Sequence, residues 1–298
     1  MWGRHHGAVP VGVVDVGSNT VRLLVVRRGR TILTEREMLR LGSDVERDGR
    51  ISAAKIARTA EVVGLYVDDA RALGVDQPEI LITSPGRQAE NADELVEALA
   101  VASASPVRVL SAIDEGRLAF LGAIEVASPP PRRRVAVVDV GGGSAQVVVG
   151  TRRDGVEWVR SIDLGSQRLT SRLLSDDPPG AEAIERAVAE VGRYLDDFAP
   201  PEPRNAYAVG GSARALKRIV GQGLDEESFE EALDVLARRS AKELAERYDI
   251  DPDRAPTLAA GAVILSGIQR RLGTPLKVVR AGLRDGAIAD QAARRAVA

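Results

Sequence analysis

Hydrophobic and polar positions along the 298-residue chain fall into two successive sets. Val9–Arg27 holds two short β-branched runs on either side of GSNT, the pattern of a hairpin. From Ser52, a residue suited to capping a helix, to about Gly74, Ile56, Ala60, Val63, Val67 and Ala70 recur on one face at helical spacing. A strand is predicted at Glu79–Thr83, a helix at Asn91–Ala102, a strand at Val107–Leu110 and a helix at Asp114–Val126. SPPPRRR, Ser128–Arg134, cannot continue a helix and reads as a connector, its arginines as a solvated loop. The pattern then restarts. Two strands flank GGGS, and Val156–Leu164 predicts a third. A helix over Ala181–Phe198 carries Ile184, Val188, Val191 and Leu195 on one face. A strand at Ala206–Val209 leads into a helix opened by GGSAR, amphipathic helices fill Glu226–Tyr248, and a small-residue helix runs near Thr257–Leu272 before a last strand at Leu276–Val279. Strands and helices mixed in both halves predict an α/β protein with two domains, 1–127 and 128–298.

The two sets echo one another. VGVVDVGSNTVRLLVV and VAVVDVGGGSAQVVVG align when Asp15 is placed on Asp139, about 124 residues later, as expected of two related domains. In each, a strand ends in Asp and a glycine-containing turn leads to a second strand. Glycine permits close approach to a ligand, and consecutive N–H groups in such a turn can form an anion-binding nest. Ser18, Asn19, Thr20 and Ser144 add side-chain donors, and Asp15 and Asp139 are placed to hold a divalent cation. Neither turn is a P-loop, and neither is followed by a helix, so a dinucleotide-binding reading fails as well.

Composition narrows the chemistry. Aromatics are 3% of residues, which argues against recognition of bases by stacking. Forty-one Lys and Arg against 43 Asp and Glu argue against a general DNA- or membrane-binding role. With no cysteine, thiol chemistry and disulfides are absent; the two histidines, His5 and His6, read as a solvated N-terminal tail. Catalysis therefore rests on carboxylates, Arg, Lys, hydroxyls or a metal. No run approaches the length of a membrane span and no signal-peptide pattern opens the chain, so the cytoplasm is the expected location.

Several motifs in order resemble the exopolyphosphatase/guanosine pentaphosphate phosphohydrolase (Ppx/GppA) family of the actin, sugar kinase and heat-shock ATPase superfamily. They are VVDVGSNTVRLLVV, TSPGRQAEN, SAIDEGRLAFLGA, VVDVGGGSAQ, AVGGSARAL, RAPTLAAGAVIL and AGLRDG. The resemblance implies two ribonuclease-H-like domains with a cleft between them, and magnesium-dependent removal of terminal phosphate from inorganic polyphosphate or of the 5′ γ-phosphate from guanosine pentaphosphate. It implies Glu115 as the catalytic base, Arg87 and, less directly, Arg254 as phosphate-binding arginines, and Asp139 as the metal-linked aspartate. Gly17, Ser18, Asn19 and Thr20 match one phosphate loop; Gly141, Gly142, Gly143 and Ser144 match the other. It further implies a homodimer and the short, two-domain branch of the family.

The chain departs from the family pattern at several points. The family's G-G-G-S-T-E reads GGGSAQ here, placing the uncharged Gln146 where a metal-linked carboxylate is expected, and Ala145 where a hydroxyl is. S-G-x-E-E-A reads SAIDEG, and T-S-A-x-R reads TSPGR. The Ala145–Gln146 departure leaves standing a catalytically weak or inactive sensor of polyphosphate or guanosine tetra- and pentaphosphate, and AVGGSARAL, which also reads as a nucleotide-contacting loop, leaves a kinase-type ATPase of the same superfamily.

Overall fold

In the computed structural model, which describes residues 9–221 and 223–297, the valine-rich runs become two separate sheets. His5 and His6 lie outside the described residues. In chain order, β1 (Val11–Val16), β2 (Thr20–Arg27) and β3 (Arg30–Met38) precede α1 (Leu41–Asp48) and α2 (Ala53–Ala72). Then follow β4 (Glu79–Ile82), α3 (Ser84–Gln88), α4 (Ala92–Ser103), β5 (Val107–Val109) and α5 (Ala112–Ala127). The second set comprises β6 (Val135–Val140), β7 (Ala145–Thr151), β8 (Gly155–Ile162), α6 (Ser166–Leu173), α7 (Ala181–Tyr194), β9 (Asn205–Val209), α8 (Gly210–Val220) and β10 (Gly223–Leu224). It continues with α9 (Glu226–Arg238), α10 (Ala241–Tyr248), α11 (Leu258–Leu272) and β11 (Leu276–Val278), and the chain closes on α12 (Leu283–Val297).

The first sheet has the order β3-β2-β1-β4-β5; the second has β10-β11-β9-β6-β7-β8. Three antiparallel strands followed by parallel ones give both sheets the same core order, with β10 added at one edge of the second. This is the ribonuclease-H-like arrangement. The interior strands β1 and β6 carry Asp15 and Asp139, each one residue before the strand's end.

Side-chain alternation explains what each face does. In the first sheet, Val14, Val16, Val21, Leu23, Val25, Ile80 and Ile82 join one buried cluster with α2 and α4. Val11, Val13, Leu24, Val26 and Leu81 join another on the opposite face, with Leu110 and Leu118 and with Leu283, Ala287 and Ile288 of α12. In the second sheet Ala136, Val138 and Val140 belong to a large cluster that includes every Ala, Val, Ile and Leu of α11. Asp139, out of phase with these residues, is carried on the other face.

Two compact units result. One runs through Val126 and also takes the segment from Leu283 onward; the other is Ala127–Gly282. The division near Ser128–Arg134 agrees with the proline-rich connector, but the expected second domain, 128–298, is shorter than predicted at its C-terminal end. The cause is the unclaimed apolar face of the first sheet. α12 covers it, Arg284 Nη1 donates to Leu23 O (3.1 Å), and Gly286 crosses so close to α5 that a Cβ there would lie 1.8 Å from Leu118 O.

Other predicted elements stand with small shifts. The helix predicted over Ala181–Phe198 ends at Tyr194, and the stretch Glu226–Tyr248 is two helices broken at Arg239–Ser240, where Ser240 and Glu243 form a capping box. No helix among the described residues is long and apolar enough to cross a membrane.

Candidate active site

Each glycine-containing turn is held by the helix that follows its three-stranded meander. In the second unit the Gly141 N–H closes the turn on Ser144 O (2.9 Å). The start of α6 then meets its carbonyls: Ser166 N–H donates to Gly141 O (2.8 Å) and Gln167 N–H to Gly142 O (2.9 Å). In the first unit Gly17 N–H likewise closes on Thr20 O (3.0 Å), and Gly42 N–H of α1 donates to Ser18 O (2.8 Å). Leu39 and Arg40 N–H groups both take Asn19 O at 2.9 Å. Helix-terminal donors thus satisfy the turn's acceptors, which biases what the turn offers a ligand toward N–H donors and suits an anion.

The approach is close. A Cβ on Gly165 would lie 2.3 Å from the carbonyl of Gly142 and 2.5 Å from Gly143 N; one on Gly42 would lie 2.9 Å from Ser18 Cβ. Sequence reasoning passed over both glycines. The signal was present as a second, shorter echo: LGSD at Leu41–Asp44 and LGSQ at Leu164–Gln167.

Around Asp139 the second unit gathers three further features. Gly210, at φ 88°, begins α8 so near that a Cβ would lie 2.7 Å from Asp139 Oδ1, and a Cβ on Gly211 would lie 2.7 Å from the Arg254 guanidinium. Asp139, the glycine turn and Arg254 therefore converge on the α8 N-terminus, where helix N–H groups favour negative charge. Ser212 Oγ, beside Gly261, is buried without a hydrogen-bond partner. Gln146 stands opposite Asp139 across the β6–β7 pair, as Arg22 stands opposite Asp15 in the first sheet. Gln146 is buried, and its Nε2 donates to Ser144 Oγ (2.9 Å) and to Ser161 Oγ (3.4 Å).

In the first unit, burial pushes the Asp15 carboxyl above the usual carboxylate range, with the Arg284 and Arg22 guanidinium groups pulling it back. Ser18 and Ser84 hydroxyls share a 2.6 Å hydrogen bond, tying the first turn to α3. α3 also carries Arg87, whose Nη2 donates to Glu115 Oε2 (2.7 Å) and Nη1 to Leu110 O (2.8 Å). Glu115 lies in the first turn of α5, only 9% exposed, and its backbone N–H reaches Ser111 O. A carboxylate at this depth is costly unless paired, and Arg87 pairs it. The fork predicted to face phosphate thus directs two donors to the protein itself and aims the carboxylate.

The residues expected to hold magnesium fit a particular kind of site. Among the described residues no group of three or more His, Asp or Glu is disposed to cage a metal ion. Magnesium is commonly held by one or two carboxylates plus substrate phosphates. Asp139, beside an anion-suited turn, fits a cation arriving with a phosphate chain. Gln146 supplies no charge.

Comparison with known proteins gives a consistent picture. The family model described as the Ppx/GppA phosphatase family matches residues 25–295. The chain is 28% identical over 304 residues to a protein named exopolyphosphatase 1 from Mycobacterium leprae, covering 93% of this chain and 88% of that one. The protein of the same name from Mycobacterium tuberculosis is 29% identical over 304 residues, covering 93% and 87%. Among solved structures, an exopolyphosphatase-like protein superposes with a TM-score of 0.86 at 26% identity, covering 96% of this chain and all of that one. The Aquifex aeolicus Ppx/GppA family member superposes with a TM-score of 0.82 at 25% identity, covering 96% and 98%.

Proposed function

The chain belongs to the Ppx/GppA phosphatase family, and we propose that it hydrolyses phosphoanhydride bonds, releasing terminal phosphate from inorganic polyphosphate. The observation that carries this reading is the Arg87–Glu115 pair, a buried carboxylate paired with a guanidinium at 2.7 Å in a protein with no histidine among its described residues. Glu115 takes a proton from water as that water attacks the terminal phosphorus; the bridging P–O bond breaks and leaves a chain one phosphate shorter. The work is positioning and charge stabilisation, as is general for phosphoryl transfer. Gly141, Gly142, Gly143 and Ser144, with Arg254, hold phosphate oxygens in the second unit; Gly17, Ser18, Asn19 and Thr20 have the same role in the first. Asp139 would hold a magnesium ion in the second unit, which would neutralise phosphate charge there, and Asp15 is the corresponding carboxylate of the first unit.

The test is phosphate release by purified protein with magnesium, compared across long polyphosphate, guanosine pentaphosphate and ATP. Polyphosphate is expected to be the best substrate. Preference for guanosine pentaphosphate would move the assignment to the other activity in the family's name, and preference for ATP would support the kinase-type reading.

A second reading, a binding sensor with little turnover, is favoured by Gln146 alone, whose amide is built into a buried network with Ser144 and Ser161. Gln146→Glu tests it. A second carboxylate opposite Asp139, buried and without a cation, is expected to lower the Tm; magnesium is expected to restore it and, with substrate, to raise the initial rate at low magnesium. If thermal stability and rate follow the wild-type magnesium curves, this position carries no metal-linked role.

A further inference from the structure

The arginine run after the proline connector is absorbed by neither the glycine turns nor the Arg87–Glu115 pair. It lines a groove at the other end of the second sheet. Pro130–Arg134 lead into β6, Arg204 leads into the parallel strand β9, and Thr151–Asp154 join β7 to β8, so all three segments meet where β6 begins. Backbone bonds lock them together: Arg204 N–H donates to Arg134 O and Arg153 N–H to Pro131 O, both at 2.9 Å. The Asp139 end of β6 lies four residues further on, about 13 Å away at ~3.3 Å per residue.

The charges in the groove do not cancel. Arg134 pairs with Glu157 (2.9 Å) and Arg153 with Asp154 (3.7 Å). Among the described residues no ion pair joins Arg132, Arg133 or Arg204 to a carboxylate; Arg133 reaches Asn205 Oδ1 at 3.4 Å. All three are exposed, and the lining as a whole sets four arginines, Arg132, Arg133, Arg134 and Arg204, against three carboxylates, Asp154, Glu157 and Glu202, a net charge of +1. No aromatic side chain lines the groove, so it has no platform for stacking bases. Guanidinium groups on a fixed backbone suit repeated phosphates, each able to accept two parallel charged hydrogen bonds.

We propose that this groove is a second binding site for the phosphate chain, engaging a stretch of long polyphosphate apart from the end being hydrolysed. The proposal rests on polyphosphate being the substrate. A short chain such as tripolyphosphate occupies the glycine turn alone; a long one occupies both, and its affinity depends more steeply on salt because more phosphates are neutralised.

The test is calorimetric binding of long-chain polyphosphate and of tripolyphosphate to the full chain, wild type and Arg132→Glu/Arg204→Glu, across a salt series. The paired charge reversal is expected to weaken long-chain binding by about tenfold at low salt and flatten its salt dependence, leaving tripolyphosphate affinity unchanged. Arg132→Gln/Arg204→Gln is expected to fall between. Unchanged long-chain affinity would overturn the proposal. So would an equal loss for both ligands, or a loss seen with duplex DNA but not with polyphosphate. Because binding is read directly, loss of long-chain affinity in a protein that releases no phosphate would uphold the groove while ending the hydrolase assignment.

Discussion

Glu115→Gln is expected to lower phosphate release from long polyphosphate by about 10²–10⁴-fold, the usual contribution of a general base, while the protein still binds the chain. The amide keeps the size and burial of the side chain and can still accept a hydrogen bond from Arg87 Nη2, so the fold around α5 is retained. It cannot accept the proton of the attacking water. The measurement is single-turnover phosphate release beside calorimetric binding of the same chain. Release at the wild-type rate would remove Glu115 from the mechanism. Loss of binding together with rate would recast the Arg87–Glu115 pair as a structural clamp.

The second large effect is expected from one added methyl group. Gly165→Ala places a Cβ 2.3 Å from the Gly142 carbonyl and 2.5 Å from Gly143 N. Every near neighbour is backbone, so no side chain can swing aside. Either α6 or the turn must move, and the bonds from Ser166 and Gln167 into the turn move with it. Overpacking of this kind costs about 1–3 kcal/mol. The expected result is a lower Tm and loss of phosphate-chain binding together. Gly192→Ala is the control: it lies inside α7, a Cβ there meets nothing within 4 Å, and alanine favours helix by up to about 1 kcal/mol. A Gly165→Ala protein with wild-type Tm and affinity would show that the turn tolerates displacement.

Much of this arrangement was legible in the sequence because it repeats. The strand–Asp–turn–strand echo predicted two related sheets, and both are present with the same core order. What was missed carried weak local patterns. β3 is largely exposed and charged, so its alternation has no apolar face to display. α1 and α6 are eight residues each and mostly polar, and their importance lies in N–H groups that no side-chain pattern reports. The Arg87–Glu115 contact joins residues from two helices across β5; each reads as a surface charge until the fold brings them together. The motif resemblance named both residues, but their pairing is a tertiary fact. The basic run is an exposed loop, as its charge suggested, and what the sequence could not display is the convergence of three segments around it.

The return of α12 to the first sheet sets an order of events in synthesis. A ribosome releases the chain N-terminus first, and domains commonly fold as they emerge. Here the second unit, Ala127–Gly282, is complete in sequence before the first is. Until Leu283–Val297 appears, the face formed by Val11, Val13, Leu24, Val26 and Leu81 has only Leu110 and Leu118 of its buried cluster to pack against. Leu283 and Ile288 together supply about 3–6 kcal/mol of burial to close it. The nascent first unit thus keeps part of a β-surface exposed for the whole time its neighbour is being made. A chaperone that binds apolar strands would find its target there, in the half of the protein that was translated first.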